Sequence, residues 1–285
     1  MRMTTSRSTA VSLQVLVGAC VICSAVAARA ADTPDLSGLW TRTWKDPGTF
    51  DAPPSGQGPI MIDPAHARIP HTAENGSTNP NVTADPWAAD LSNPILKPET
   101  RERLKRISDD ELAGKPHLEL STMCRPPGVP EILNLRDDLK ILQTQKEVVL
   151  LYSRDHQSRH VYMNVPHSKN PGHSWLGESV GHYEDETLVV DTIGENDKTH
   201  SDRFGTPHSD RIHVVERYRV APDRKGLEVL VTVDDPGAFT MEWSARADYR
   251  PDNNWFFEEI VCAENNRPTG PDYEIPIPTA EKPDF

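Results

Sequence analysis

The sequence predicts a mainly β protein, an antiparallel barrel or sandwich preceded by a long arm of loop and helix. Three observations carry that prediction. From residue 138 onward short β-rich runs recur, at 139–144, 146–152, 158–164, 178–183, 186–193, 211–220, 226–234, 241–249 and 254–262. Turn signals punctuate them, among them Asp185-Glu186, Pro222-Asp223-Arg224-Lys225-Gly226, Pro236-Gly237 and Pro251-Asp252-Asn253-Asn254. Inside the runs apolar residues alternate with polar ones, so each strand has one core-facing side. Leu227, Val229, Val231 and Val233 share one face; Trp243, Ala245, Ala247 and Tyr249 share another.

Each segment follows from its residues. Residues 1–30 have an Arg-containing start, an apolar run over 11–26 and an Ala28-Arg29-Ala30 end, the pattern of a secretory signal peptide. The run is too short and interrupted for a membrane span. Acylation at Cys20, in Val17-Gly18-Ala19-Cys20, is the competing reading, but the apolar run continues past that cysteine. A single β-rich domain is expected over 31–264, opened by a strand across Asp35-Leu36-Ser37-Gly38-Leu39-Trp40 and Thr41–Trp44. An arm over 46–137 is inserted after that strand. Its 46–98 part is dense in Pro, Gly, Asn and Asp and lacks periodicity. A helix is expected over 98–113, with Pro98 at its start and a thin stripe of Leu104, Ile107, Glu111 and Leu112. The end, 265–285, carries Pro268, Pro271, Pro276, Pro278 and Pro283 and reads as an extended tail.

Composition limits the function. With 30 Lys+Arg against 43 Asp+Glu, the 285-residue chain has a formal net charge of −13 and no clustered basic surface. Nucleic acid is therefore not an expected partner. No nucleotide-binding glycine loop, haem C-x-x-C-H or EF-hand pattern is present, so no cofactor is expected. Two of the four cysteines fall within 1–30; the remaining pair, Cys124 and Cys262, is expected to form a disulfide in an oxidising compartment.

Two resemblances add to this. Leu36-Ser37-Gly38-Leu39-Trp40 resembles the opening strand of lipocalins and related calycin barrels. Residues 124–262 resemble a large family of secreted bacterial proteins of mostly unassigned function. The matching words include Trp175-Leu176-Gly177-Glu178-Ser179-Val180-Gly181, Pro207-His208-Ser209-Asp210, Glu216-Arg217-Tyr218-Arg219 and Val233-Asp234-Asp235-Pro236. The chain departs from the family's words at His160 and at His182-Tyr183. The resemblance implies an exported, calycin-like barrel and no particular chemistry.

Glu216 is the first candidate for chemistry, because it shares the face of Ile212, Val214, Tyr218 and Val220. A carboxylate on an apolar strand face is either tied to an arginine or held for proton transfer. Arg159, Arg217, Arg219 and Arg246 are the available partners; His208 and Asp191 would complete an acid/base set with Glu216. Gly177-Glu178-Ser179-Val180-Gly181 spells G-x-S-x-G, but a β run follows rather than a helix, so Ser179 reads as a strand residue. Asp234-Asp235-Pro236-Gly237 reads as an Asx turn closing a hairpin. The histidines at 156, 160, 167, 173, 208 and 213 are read as surface and turn residues, with no metal site expected.

The leading functional expectation is a secreted or periplasmic barrel holding a small, largely apolar ligand against Trp40, Tyr162, Trp175, Tyr218 and Trp243. One alternative is a cofactor-free hydrolase, lyase or isomerase using Glu216, His208 and Asp191. Another is an interaction module of the cell envelope, with the arm and tail as docking segments.

Overall fold

A computed structural model describes residues 33–44, 49–66, 88–113, 115, 120–121, 123–135, 137–254 and 256–262. The leader expected over 1–30 and the tail over 265–285 lie outside the described residues. In chain order the strands and helix are β1 (Gly38–Thr43), α1 (Pro98–Leu112), β2 (Leu139–Gln143), β3 (Glu147–Tyr152), β4 (Ser158–Met163), β5 (Glu178–Glu184), β6 (Thr187–Ile193), β7 (His213–Val220), β8 (Leu227–Asp234) and β9 (Trp243–Pro251). The strands pair in sequence order and β9 returns to β1, which closes a nine-stranded barrel. The protein is thus mainly β, a barrel rather than a sandwich, of the calycin-like kind.

Two strand expectations are corrected. The barrel is mixed, because β4 and β5 pair in parallel, Val161 opposite Ser179. The connection over 164–177 is long enough to carry the chain back to the same end, which a tight hairpin does not do. Among the described residues the run at 254–262 forms no strand. The β9 edge beyond its pairing with β1, at Ser244 and Arg246, is taken by the arm through Gln57 and Asp51. The described residues of that run add an isolated bridge, Ile260 with Arg154.

Alternation sets the interior. Ile141, Leu150, Val161, Val190, Val214, Val229, Val231 and Ala247 all point inward and are fully buried. Inward side chains come from every strand and meet in one core, as expected for a small barrel filled by its own residues. Gly181 permits part of this packing, since a Cβ there would come within 2.7 Å of a Val161 methyl.

The arm pairs with the edge of β9 beside β1 and packs on the β8–β9 connection. Asp51 exchanges backbone hydrogen bonds with Arg246 (3.0 and 2.9 Å), and Phe50 sits 6.4 Å from Trp243, centroid to centroid. Helix α1 begins at Pro98 and carries Glu99 in its first turn, where the helix dipole favours an acid. Its buried stripe is Thr100, Leu104, Ser108 and Glu111 rather than the more apolar set expected; Leu112 is exposed. Polar residues are tolerated there because they are used. Thr100 donates to the Ala238 carbonyl (2.8 Å), and Ser108 accepts the Ala89 N–H (3.1 Å).

The disulfide joins Cys124, at the end of the arm, to Cys262. The Asx turn is present as well: Asp235 Oδ1 accepts the Gly237 N–H at 2.8 Å, and the same carboxylate holds the Ser209 N–H (2.6 Å) and hydroxyl (2.5 Å).

Candidate functional site

Glu216 lies inside the barrel and is tied to Arg159. Alternation places Glu216 on the inner face of β7 and Arg159 on the inner face of β4, with β5 and β6 between them. The guanidinium crosses that gap. Nη1 donates to Glu216 Oε1 (2.9 Å), Nη2 to Glu216 Oε2 and to Thr192 Oγ1 (2.6 Å), and Nε to Ser179 Oγ (2.9 Å). The Tyr218 hydroxyl adds a bond to Glu216 Oε1 at 2.9 Å. Burial works against the Arg159 charge, but the adjacent Glu216 outweighs it and holds the guanidinium protonated. A carboxylate clamped on both oxygens and fully buried is not presented to a substrate.

Asp191 lies on the opposite face of the same wall. Val190 is the register partner of Glu216 and Asp191 that of Val215, so Asp191 points outward. There it joins His213 (2.9 Å) and His167 (3.0 Å), and His167 also meets Glu178 (3.0 Å). Hydrogen bonding from His213 draws the Asp191 carboxyl below its ordinary range, and the same bond raises His213. Among the described residues no cluster of three His, Cys, Asp or Glu side chains is arranged to hold a metal ion.

His208 stands in neither place. It belongs to the β6–β7 connection, 194–212, and there it meets two residues that the sequence reading did not single out. Its Nε2 is 2.6 Å from Thr199 Oγ1, and its Nδ1 is 2.9 Å from the Ser209 carbonyl. Thr199 Oγ1 is in turn 3.2 Å from Glu195 Oε2, which also accepts the Val129 N–H at 2.9 Å. All three side chains are buried: Glu195 and Thr199 are 1% exposed and His208 6%. Among the described residues Glu195 Oε1 has no hydrogen-bond partner.

The connection is shaped to hold them. Gly194, at φ +75°, turns the chain out of β6. Asp202 Oδ1 collects the N–H groups of Phe204 (3.0 Å) and Thr206 (3.2 Å), folding the next stretch back so that His200 and Pro207 bridge. Gly128 of the arm lies over the cluster at φ +85°. A Cβ there would fall 2.5 Å from Thr199 Cβ and 2.7 Å from Glu195 Oε2, so only glycine allows this approach.

The electrostatics follow from burial. Desolvation pushes the Glu195 carboxyl up to about 8, against the opposing pull of the Val129 N–H and of Arg159. Burial also lowers His208, so its ring is neutral near pH 7. A sign follows for stability. Between the ordinary carboxyl value of 4.5 and about 8 the folded chain keeps a proton at Glu195 that the unfolded chain has lost. Stability contributed at this group therefore falls as pH rises through that window. Glu195→Gln removes the titration, so the difference in melting temperature, variant minus wild type, is expected to grow from pH 5 to pH 8. Thermal unfolding across that range measures it.

The expected ligand residues do not converge. Trp40, Tyr218 and Trp243 are core residues, each at most 2% exposed, because their strand positions point inward. Tyr162 is on the outer face of β4 and 50% exposed, and Trp175 is half-buried in the β4–β5 connection. An open groove of about 320 Å³ lies at the far end of β7, with Arg219, Pro222, Leu227, Glu228, Asp248 and Tyr249 among its lining residues. Glu195 and Thr199 were missed because Glu195-Asn196-Asp197-Lys198-Thr199 reads as a solvated turn. The available signal was the length of the connection, far beyond the 2–5 residues of an ordinary hairpin. Comparison with known proteins finds no matching family model and no matching curated protein.

Proposed function

We propose that the chain is an exported β-barrel protein that binds a small molecule at the Glu195–Thr199–His208 end of the barrel. One observation carries this reading: a carboxyl group 1% exposed, linked through Thr199 to a buried histidine, with Oε1 lacking any partner among the described residues. Buried polar atoms are ordinarily paired, and the exceptions concentrate where a ligand or a reaction uses them. The side-chain-filled interior moves the proposed site from the barrel centre to its end. It also changes the ligand from largely apolar to polar. The disulfide fits an oxidising compartment. The secreted family that 124–262 resembles points the same way. A docking role for the arm is less favoured, since its described parts pair with β9 and pack on the β8–β9 and β6–β7 connections.

Thermal-shift measurements against a panel of small alcohols, amides and amines test the site. A binding compound is expected to raise the melting temperature of the wild type and of Glu228→Ala, in the groove, but not of Glu195→Leu. Shifts that survive Glu195→Leu and vanish in Glu228→Ala would place binding in the groove instead.

A further inference from the structure

We propose that the groove at the β7–β8 hairpin is a second small-molecule site, which takes a small zwitterion with its carboxylate on Arg219 and its ammonium on Glu228 and Asp248. The site is separate from the Glu195 end. Glu195 follows the last residues of β6, whereas the groove lies where β7 ends and β8 begins.

Register places the charges. Arg219 is the partner of Glu228 across β7 and β8, and Glu228 is the partner of Asp248 across β8 and β9. Partners directly opposite share a face, so the three form one row on the outside of the barrel. Arg219 and Glu228 are neighbours of opposite sign, yet Glu228 turns the other way. Its Oε2 lies 3.7 Å from Arg246, and Asp248 meets the same guanidinium at 3.0 Å. The other cations of the hairpin are engaged. Arg217 donates to Glu184 (2.7 Å), Arg224 donates to the Asp35 carbonyl (2.7 Å), and Lys225 lies 3.8 Å from Asp223. Arg219 lines the groove and makes no side-chain hydrogen bond or ion pair among the described residues. A guanidinium with its fork unused is the donor set that fits a carboxylate on both oxygens.

The walls are preset. The Ala221 N–H donates to the Gly226 carbonyl at 2.9 Å and closes the hairpin, while the bond from Arg224 to Asp35 pins its tip to the segment that enters β1. Gly226 leaves the floor open, since a Cβ there would meet only the Tyr249 carbonyl, at 3.7 Å. Pro222 and Leu227 supply apolar lining for the body of a ligand. The volume of about 320 Å³ stands at the small end of the range for ligand pockets. Selectivity follows from the two signs of charge. An acid without an amine is repelled by Glu228 and Asp248, and an amine without an acid is repelled by Arg219. Only a molecule carrying both satisfies the whole row. Arg246 already offsets part of the negative end, so Arg219 is the stronger anchor. The row crosses three strands, about 10 Å. A ligand whose charges are separated by a short chain therefore fits it better than one carrying both on a single carbon.

Proton–nitrogen correlation NMR of the full chain, titrated with β-alanine, propanoate and propylamine at one ionic strength, tests the site. Saturable shifts are expected at the backbone amides of the β7–β8 hairpin. The dissociation constant for β-alanine is expected to be about fivefold or more below that of either singly charged compound, the scale of an exposed ion pair. Arg219 is exposed, so Arg219→Gln is expected to fold normally and to lose this preference. Arg217→Gln, on the same outer face but tied to Glu184, is expected to keep it. Equal affinities for the three compounds, no saturable shift, shifts away from the hairpin, or a preference that survives Arg219→Gln would each overturn the proposal. None of these results bears on Glu195, so the two sites fail separately.

Discussion

Arg159→Met is expected to cost the fold about 3–5 kcal/mol, the largest loss from any single substitution in the barrel interior. The reason is the charge left behind. Glu216 is fully buried, and without Arg159 its remaining side-chain donor is the Tyr218 hydroxyl at 2.9 Å. Ser179 and Thr192 lose the same partner, so the inner faces of β4, β5, β6 and β7 are all affected at once. The double substitution Arg159→Met with Glu216→Leu is expected to be much less damaging than the sum of the two singles. It removes both charges, and well-packed apolar replacements of a buried pair are often neutral. Urea unfolding at unchanged slope is the measurement. A single-variant cost below about 1 kcal/mol would mean that the pair is not desolvated as described.

Loss of the Cys124–Cys262 bridge is the second large effect, expected at about 2–5 kcal/mol. The two cysteines are 138 residues apart, so the bridge closes a long loop and removes much freedom from the unfolded chain. It also fixes the last described segment. That segment otherwise holds through a few bonds, Asp155 N–H to the Ile260 carbonyl (2.7 Å) and Cys262 N–H to Asp155 Oδ1 (2.8 Å). Unfolding of Cys262→Ser against wild type, both under oxidising conditions, gives the number. Equal stability would mean that these local bonds hold the terminus unaided.

The strands were legible because burial imposes a period of two, and the turn residues between them bound each run. The parallel β4–β5 pair was not, since alternation carries no information on strand direction. The run at 254–262 has strand-like composition, yet the edge of β9 left beside β1, at Ser244 and Arg246, is already taken by the arm. Glu216 was visible as a carboxylate on an apolar face. Its partner was visible in principle too: alternation puts Arg217, Arg219 and Arg246 on outer faces, which leaves Arg159. The same rule separates Asp191 from Glu216, one inside and one outside. Glu195 and Thr199 had no such marker. Their connection lacks a period, and the contacts that define them come from Gly128 and Val129, distant in sequence.

The proposed site centres on Glu195, a carboxyl group that burial at the end of the barrel is expected to keep neutral at physiological pH. Carbon-13 NMR of the glutamate side chains, titrated from pH 4 to 10 with Glu195→Gln to assign the resonance, tests it most directly. The expected result is a Glu195 midpoint at about 8. A midpoint near the ordinary 4.5 would show a solvated, charged carboxylate and would contradict the proposed site.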